Sequence, residues 1–471
     1  MRKSYICAIL AVVLLLGCLS GCKAPVEPTE PSNPTNPTIP TDPTEPEVEL
    51  TPAERLNYMP RALTLNIYDP ETNTYSFVWN TDSVAMAPVV QICEGETFNE
   101  ATAVSHPAQQ ESIEYVEARA DGDIVRVTHV CKARISLEPG KTYSYRCYDT
   151  KTKVGGATYK FTPKDTTAHS FTFAHISDSQ STQGDYNSGM PLWMVLNQLA
   201  KGETTPDFLL HTGDFVHYGI SEPYWRNMLE LSANFLGGMP FATVGGNHEM
   251  VGYGGSQYDI LRHFDAKMPQ QDCTKGYYYS FDYGDVRFIQ LNTNDAFGSS
   301  KKLSDEQYNW LVEQLETNDK KWLIVGMHHG MYSVGSWGND SRIVHITKGL
   351  RNQLSDLFAQ YGVDLVLQGH DHTYSYTYPI AEGHTALQDA PTEGDYFVNP
   401  QGVVYGMHGP AGDQPSDPWE TYEEEYYKFA GRGEESSWAE VTVEEDRLTV
   451  TVKRYVAGAA EIVTTYGIIK N

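Results

Sequence analysis

Trp322-Leu323-Ile324-Val325-Gly326-Met327-His328-His329 is an apolar run ending in two histidines, and the residues around it decide how the chain folds. Upstream, Ser304 and Gln307 have the spacing of a helix capping box, and Tyr308, Leu311 and Leu315 share one helical face. Downstream the order repeats. Leu350, Leu354, Leu357, Phe358 and Tyr361 line a second helix, Gly362 supplies its end, and Asp364-Leu365-Val366-Leu367 opens another buried strand. This alternation is α/β grammar, and it predicts that His328 and His370 lie just beyond strand ends, where open α/β sheets bind ligands.

Working outward, five such strand ends carry metal-binding side chains. In chain order they are Ser177-Asp178-Ser179-Gln180, Gly213-Asp214-Phe215-Val216-His217, Gly245-Gly246-Asn247-His248-Glu249, Met327-His328-His329 and Gly369-His370-Asp371-His372. Each alone reads as an ordinary turn. Hard oxygens beside imidazoles are the donors that a pair of divalent or trivalent cations needs, and neighbouring glycines let the backbone turn sharply towards them. His175 and His211 fall inside predicted strands and read as core residues.

Taken together and in this order, the five segments resemble the metallophosphoesterase (calcineurin-like) superfamily, in particular purple acid phosphatases and their bacterial relatives. The resemblance implies an α/β (α+β) metallophosphoesterase fold over 166–471, a four-layer β-sandwich flanked by helices. It implies two metal ions, with Fe, Zn and Mn all open as identities. Asp214 is the expected bridge, Asp178 and His372 would complete much of one site, and Asn247, His328 and His370 the other. The implied reaction is hydrolysis of a small phosphate ester, in which the cations hold the phosphate oxygens and acidify the attacking water. His248 would contact the phosphate and protonate the leaving oxygen, help worth about 10² to 10⁴ in rate. Phosphomonoesters are the leading substrates and phosphodiesters or nucleotides the alternative. An inactive surface binding protein is a third reading, against which the complete set of motif residues speaks.

The chain departs from purple acid phosphatases in three places. Those enzymes place an iron-binding Tyr three residues after the bridging Asp; here that position is His217, with Tyr218 one residue late, so no Tyr-to-iron colour is expected. Either His217 or Gln180 takes the remaining position on the first metal, or water does. Outer histidines found after the fourth segment in relatives are replaced by Ser336-Trp337-Gly338-Asn339, which leaves His329 as a candidate substrate contact and His345 as a surface residue. Tyr374-Ser375-Tyr376 stands where relatives often have Arg.

Residues 51–165 alternate apolar and polar positions, as in Leu63, Leu65 and Ile67, then Tyr75, Phe77 and Trp79, then Tyr143, Tyr145 and Cys147. They read as an all-β sandwich, and Glu138-Pro139-Gly140-Lys141 before the last strand resembles the fibronectin-III-like domain that precedes the catalytic domain in purple acid phosphatases. At the start, Met1, Arg2 and Lys3 precede an apolar run from Ile6 to Leu16, too short to span a membrane. It reads as a signal peptide, 1–22, whose end, Leu19-Ser20-Gly21-Cys22, resembles a bacterial lipobox with Cys22 as the lipidated anchor on the extracytoplasmic side. The Pro-, Thr- and Glu-rich segment 23–50 reads as an extended stalk.

Cys93, Cys131, Cys147 and Cys273 show no CxxC spacing, and both free thiols and a disulfide remain open. A formal net charge of −27 repels polymeric nucleic acid, which leaves small phosphorylated molecules as partners, since bound cations invert the local potential.

Overall fold

The computed structural model describes residues 48–117, 124–180, 190–202, 205–250, 257–269, 276–341, 344–434 and 436–471. The expected leader with Cys22, nearly all of the expected stalk and Cys273 lie outside the described residues. Glu47–Asn471 forms one compact unit.

Two large sheets face each other. The middle of the first is three parallel strands, Phe171–Ile176, Leu209–His211 and Phe241–Thr243, flanked by the antiparallel hairpin of Ser437–Val443 with Arg447–Val456. The second is built on four parallel strands, Val286–Leu291, Trp322–His329, Leu365–Gly369 and Val404–His408. Phe173 and Phe208 of the first half stack at 5.2 Å, and Phe288 from the second sheet meets Phe173 edge-on at 5.3 Å. In Trp322–His329 the two-residue period is explicit: Ile324 joins this inter-sheet core, whereas Leu323 and Val325 pack with Leu311, Leu315, Leu350, Leu354 and Phe358 from two helices. Each such side chain contributes about 1.5–3 kcal/mol by leaving water.

Those helices are Asp305–Glu316 and Val344–Gln360. Ser304 caps the first through its side chain, which accepts from the Gln307 N–H at 3.4 Å. The reciprocal half of the expected capping box is made differently. Gln307 turns inward to the Asn292 carbonyl at 3.0 Å, and Asp295 accepts the Ser304 N–H at 3.0 Å in its place. Gly362, at φ +68°, ends the second helix and lets the Val363 N–H reach the Phe358 carbonyl at 3.0 Å.

His370 lies just past its strand, but His328 does not: it is the penultimate residue of Trp322–His329. There the pairing with Leu365–Gly369 shifts register between Gly326 and His329, an irregularity that re-aims side chains at the strand end.

The segment expected as a separate sandwich shares its first sheet with the rest. Arg61–Asp69 pairs in parallel with Phe241–Thr243 through Asn66 and Phe241, and Thr74–Thr81, Ile124–Ser136 and Gln109–Glu117 follow. A five-stranded sheet around Pro88–Glu94 and Tyr143–Asp149 closes its other face over Leu65, Phe77, Trp79, Ile92 and Tyr145. Polar side chains tie it down: Arg134 grips Asp265 with two bonds of 2.8 and 3.0 Å, Ser76 donates to the same carboxylate at 2.6 Å, and the Tyr145 hydroxyl donates to the Gly237 carbonyl at 2.7 Å. Cys93, Cys131 and Cys147 are buried free thiols.

Candidate metal centre

The parallel strands of both sheets end side by side, and the loops that leave them bring the motif residues together. Asp178, Asp214, His370 and His372 all sit in the left-handed region, at φ 52°, 56°, 79° and 51°. A non-glycine residue there costs about 1–3 kcal/mol, which is tolerated where the surrounding structure fixes it and the side chain serves a site. Gly246 is required because a Cβ on it would run into Asp214.

Two groups of donors result, and they share Asp214. In one, Asp178 Oδ1 lies 3.4 Å from His372 Nε2, and both Asp178 oxygens accept the His370 N–H at 3.0 Å. In the other, His328 Nε2 lies 3.2 Å from Asp214 Oδ2, 3.0 Å from Asn247 Oδ1 and 3.1 Å from His370 Nδ1. Asp178, Asp214 and His328 bring ligand atoms within 4.8 Å of one another, and so do His328, His329 and His370.

Asp178, Asp214, His328 and His329 are buried, whereas Asn247, His248, His370 and His372 are partly exposed and form the open side. His248 donates from Nδ1 to the His217 carbonyl at 2.7 Å, its Nε2 stands 3.7 Å from Asp214 Oδ2, and its backbone N–H donates to Asp214 Oδ1 at 3.0 Å.

The open choice between His217 and Gln180 meets different surroundings for each. The His217 ring packs 5.2 Å from that of His248. Gln180 reaches the first group directly. Its amide fits with the NH₂ donating to the carbonyls of Asp178 and Asp214 at 3.2 and 2.8 Å, which turns Oε1 to the position 3.3 Å from His372 Nε2 and 3.5 Å from Asp214 Oδ2. His329, a candidate substrate contact in the sequence, is buried: Nδ1 pairs with the Thr293 hydroxyl at 2.8 Å, and Nε2 has no hydrogen-bond partner.

Two acidic residues that the sequence reading did not single out as functional hold the loops. Glu249 Oε2 accepts from the N–H groups of Asp214 and Gly246 at 2.9 and 3.1 Å, and Oε1 from those of Phe215 and Val216 at 2.8 and 3.3 Å. Asp371 accepts from Ser333 and from the N–H groups of Trp337 and Gly338 at 2.8 and 2.9 Å. Both lie within the motifs, but their partners are backbone groups, which leave no residue pattern to read.

The electrostatics suit cations. Burial alone would raise the Asp178 carboxyl, but His372 beside it, then His328, hold it below the usual range. Asp214 is likewise held well below its usual value against burial, by His328 and His248. Against its own burial, His328 is lifted by Asp214 to about 9, while burial and the His328 charge depress His370 to about 3. Burial and the Asp214 charge push Glu249 up to about 8. Among the described residues neither Asp178 nor Asp214 is paired with Lys or Arg; imidazoles and backbone N–H groups face them instead. The Nδ1–H groups of His328 and His372 are held by the carbonyls of Thr212 and Gln414, the outer arrangement that fixes a metal-binding tautomer. The residues therefore fit a pair of metal ions.

Comparison with known proteins agrees. Residues 171–374 match the calcineurin-like phosphoesterase family. Acid phosphatase type 7 of Mus musculus is 26% identical over 59% of this chain and 62% of its own length, and purple acid phosphatase 21 of Arabidopsis thaliana is 28% identical over 52% of each. The matches thus span less than two thirds of those relatives' lengths. Among solved structures, purple acid phosphatase PPD1 from yellow lupin superposes with a TM-score of 0.70 at 18% identity, covering 88% of this chain and 75% of that one. PhoD gives 0.61 at 13% identity over 88% and 91%. At those identities the likeness is one of fold. Residues 171–374 thus match the calcineurin-like phosphoesterase family, and the chain is similar in sequence to acid phosphatases of the purple acid phosphatase type and in fold to one of them.

Proposed function

We propose that the protein hydrolyses small phosphate esters, phosphomonoesters first, at a two-metal site. The observation that carries this reading is the sharing of Asp214 between two groups of donors at the joined strand ends. Bound cations would supply charge stabilisation for the phosphoryl oxygens and an acidified water. The chain supplies the rest. Asp214 is the common ligand, Asp178, His372 and Gln180 Oε1 serve the first position, and Asn247, His328 and His370 the second, with the unpartnered Nε2 of His329 beside it. His248, whose Nδ1 donates to the His217 carbonyl and whose Nε2 stands 3.7 Å from Asp214 Oδ2, lies where it would contact the phosphate and protonate the leaving oxygen. Similarity to acid phosphatase type 7 and purple acid phosphatase 21 supports the monoester preference. The basic start, short apolar run and Cys22 support export and a lipid anchor.

The test is metal content of the purified protein by elemental analysis, together with hydrolysis of para-nitrophenyl phosphate and of its bis ester. About two metals per chain and faster monoester turnover are expected, as a two-metal site requires. A metal-loaded protein that cleaves neither ester overturns the reading. For the first position, Gln180→Leu is expected to lower the metal content by about one ion per chain, because it removes a side-chain oxygen donor. His217→Ala is expected to keep both ions, and the reverse pattern would assign the position to His217.

A further inference from the structure

Four rings follow one another out of the second donor group. Phe297 meets His329 at 4.9 Å between centroids, His329 meets His370 at 4.5 Å, and His370 meets Trp337 at 4.8 Å. The inner two are imidazoles of the centre. The outer two are large apolar rings left in water, Trp337 at 45% exposure and Phe297 at 40%.

Neither ring hangs on a loose segment. Trp337 sits in the short helix Ser336–Asn339, whose first N–H groups are held by Asp371 of the fifth motif and whose Asn339 side chain donates to the carbonyls of Ser333 and Gly335 at 2.9 Å each. Phe297 ends the turn Thr293–Phe297, in which Asn294 donates to the Gly245 carbonyl of the third motif at 2.9 Å and Thr293 pairs with His329. The motif loops therefore fix two partly exposed aromatic rings beside the second donor group.

A single exposed apolar residue needs no explanation. Two that pack against the imidazoles of one metal group, Phe297 edge-on at 66° and Trp337 tilted at 51°, on turns anchored by the motifs themselves, form a recognition surface, since exposed aromatic rings beside a site bind flat π-systems by stacked or edge contacts. We propose that Trp337 and Phe297 receive the organic part of the ester, so that the substrates are phosphate esters of flat, π-rich groups, an aryl ring or a nucleobase. The proposal rests on the hydrolase reading above and adds the substrate class.

The experiment measures inhibition constants of phenylphosphonate and methylphosphonate with the metal-loaded protein, in wild type and in the Trp337→Leu, Phe297→Leu double variant. Non-hydrolysable phosphonates remove any effect of leaving-group reactivity. Phenylphosphonate is expected to bind about tenfold more tightly than methylphosphonate, the scale of a stacking contact, and the gap is expected to fall below about threefold in the double variant. A second pair, adenosine 5′-phosphate against ribose 5-phosphate, separates the two sources of a flat ring: a gap there that also depends on the two side chains identifies a nucleobase, and a gap with phenylphosphonate alone identifies an aryl ester. Equal binding of the two phosphonates in wild type, or a gap that survives in the double variant, overturns the proposal while leaving the hydrolase reading intact. Rings that merely shield the imidazoles would change metal content and weaken both phosphonates alike. Failure of the metal-loaded protein to bind any phosphonate or to cleave any ester would bring down the hydrolase reading itself.

Discussion

Asp214→Ala is expected to empty both metal positions and to lower phosphate-ester hydrolysis by about 10³-fold or more, since groups that act as a unit fail together. Asp214 Oδ2 is the oxygen that faces His328 Nε2 at 3.2 Å, His248 Nε2 at 3.7 Å and the Gln180 amide at 3.5 Å, while Oδ1 holds the His248 N–H. Without it the first group keeps Asp178, His372 and Gln180, the second keeps His328, Asn247 and His370, and no oxygen joins them. Elemental analysis and turnover of para-nitrophenyl phosphate check the expectation on one sample. Two ions per chain in the variant would show that Asp214 is not shared.

The second large effect falls on a residue that touches no expected substrate. Glu249→Ala removes one carboxylate and strands four backbone N–H groups, those of Asp214, Phe215, Val216 and Gly246, in the interior. A buried unmet donor costs about 1–3 kcal/mol, so the variant is expected to lose about 4 kcal/mol or more of stability. Because three of those donors belong to the second motif and one to the third, the metals are expected to leave with them. Glu249→Gln keeps the shape but turns an NH₂ towards N–H groups, and it is expected to restore only part of the loss. Thermal unfolding with and without added metal reads both effects, and a variant that melts like wild type would mean that water replaces the carboxylate.

Much of the centre was legible because its side chains follow buried strands, and a run such as Leu365 to Leu367 before Gly369 and His370 announces both the strand and its end. Imidazoles and carboxylates also carry their chemistry in their names. The misses share a cause, which is that backbone partners and long-range pairings leave no residue pattern. Glu249 was in view beside His248, yet nothing in Asn-His-Glu says that the carboxylate faces four peptide N–H groups. Ser304 and Gln307 gave the helix start, but the inward turn of Gln307 depends on Asn292 and Asp295 from another turn. Phe297 stands in a loop without periodicity, and only its position over His329 distinguishes it from any other loop phenylalanine. Gln180 could be weighed against His217 only once the carbonyls around its amide were known.

Because Arg61–Asp69 pairs with Phe241–Thr243, the amino-terminal sandwich is not a bead that can be cut from a string. Excising 51–165 would leave the Phe241–Thr243 strand with an uncovered edge, ready to recruit another molecule, and would strip Ala62 and Ile67 from the inter-sheet core. That strand also runs straight into Gly245-Gly246-Asn247-His248-Glu249, so the loop that carries a metal donor takes its footing from a strand whose other neighbour is the sandwich. A copy of the phosphoesterase half made without the sandwich is therefore expected to carry its third motif on a strand supported from one side only.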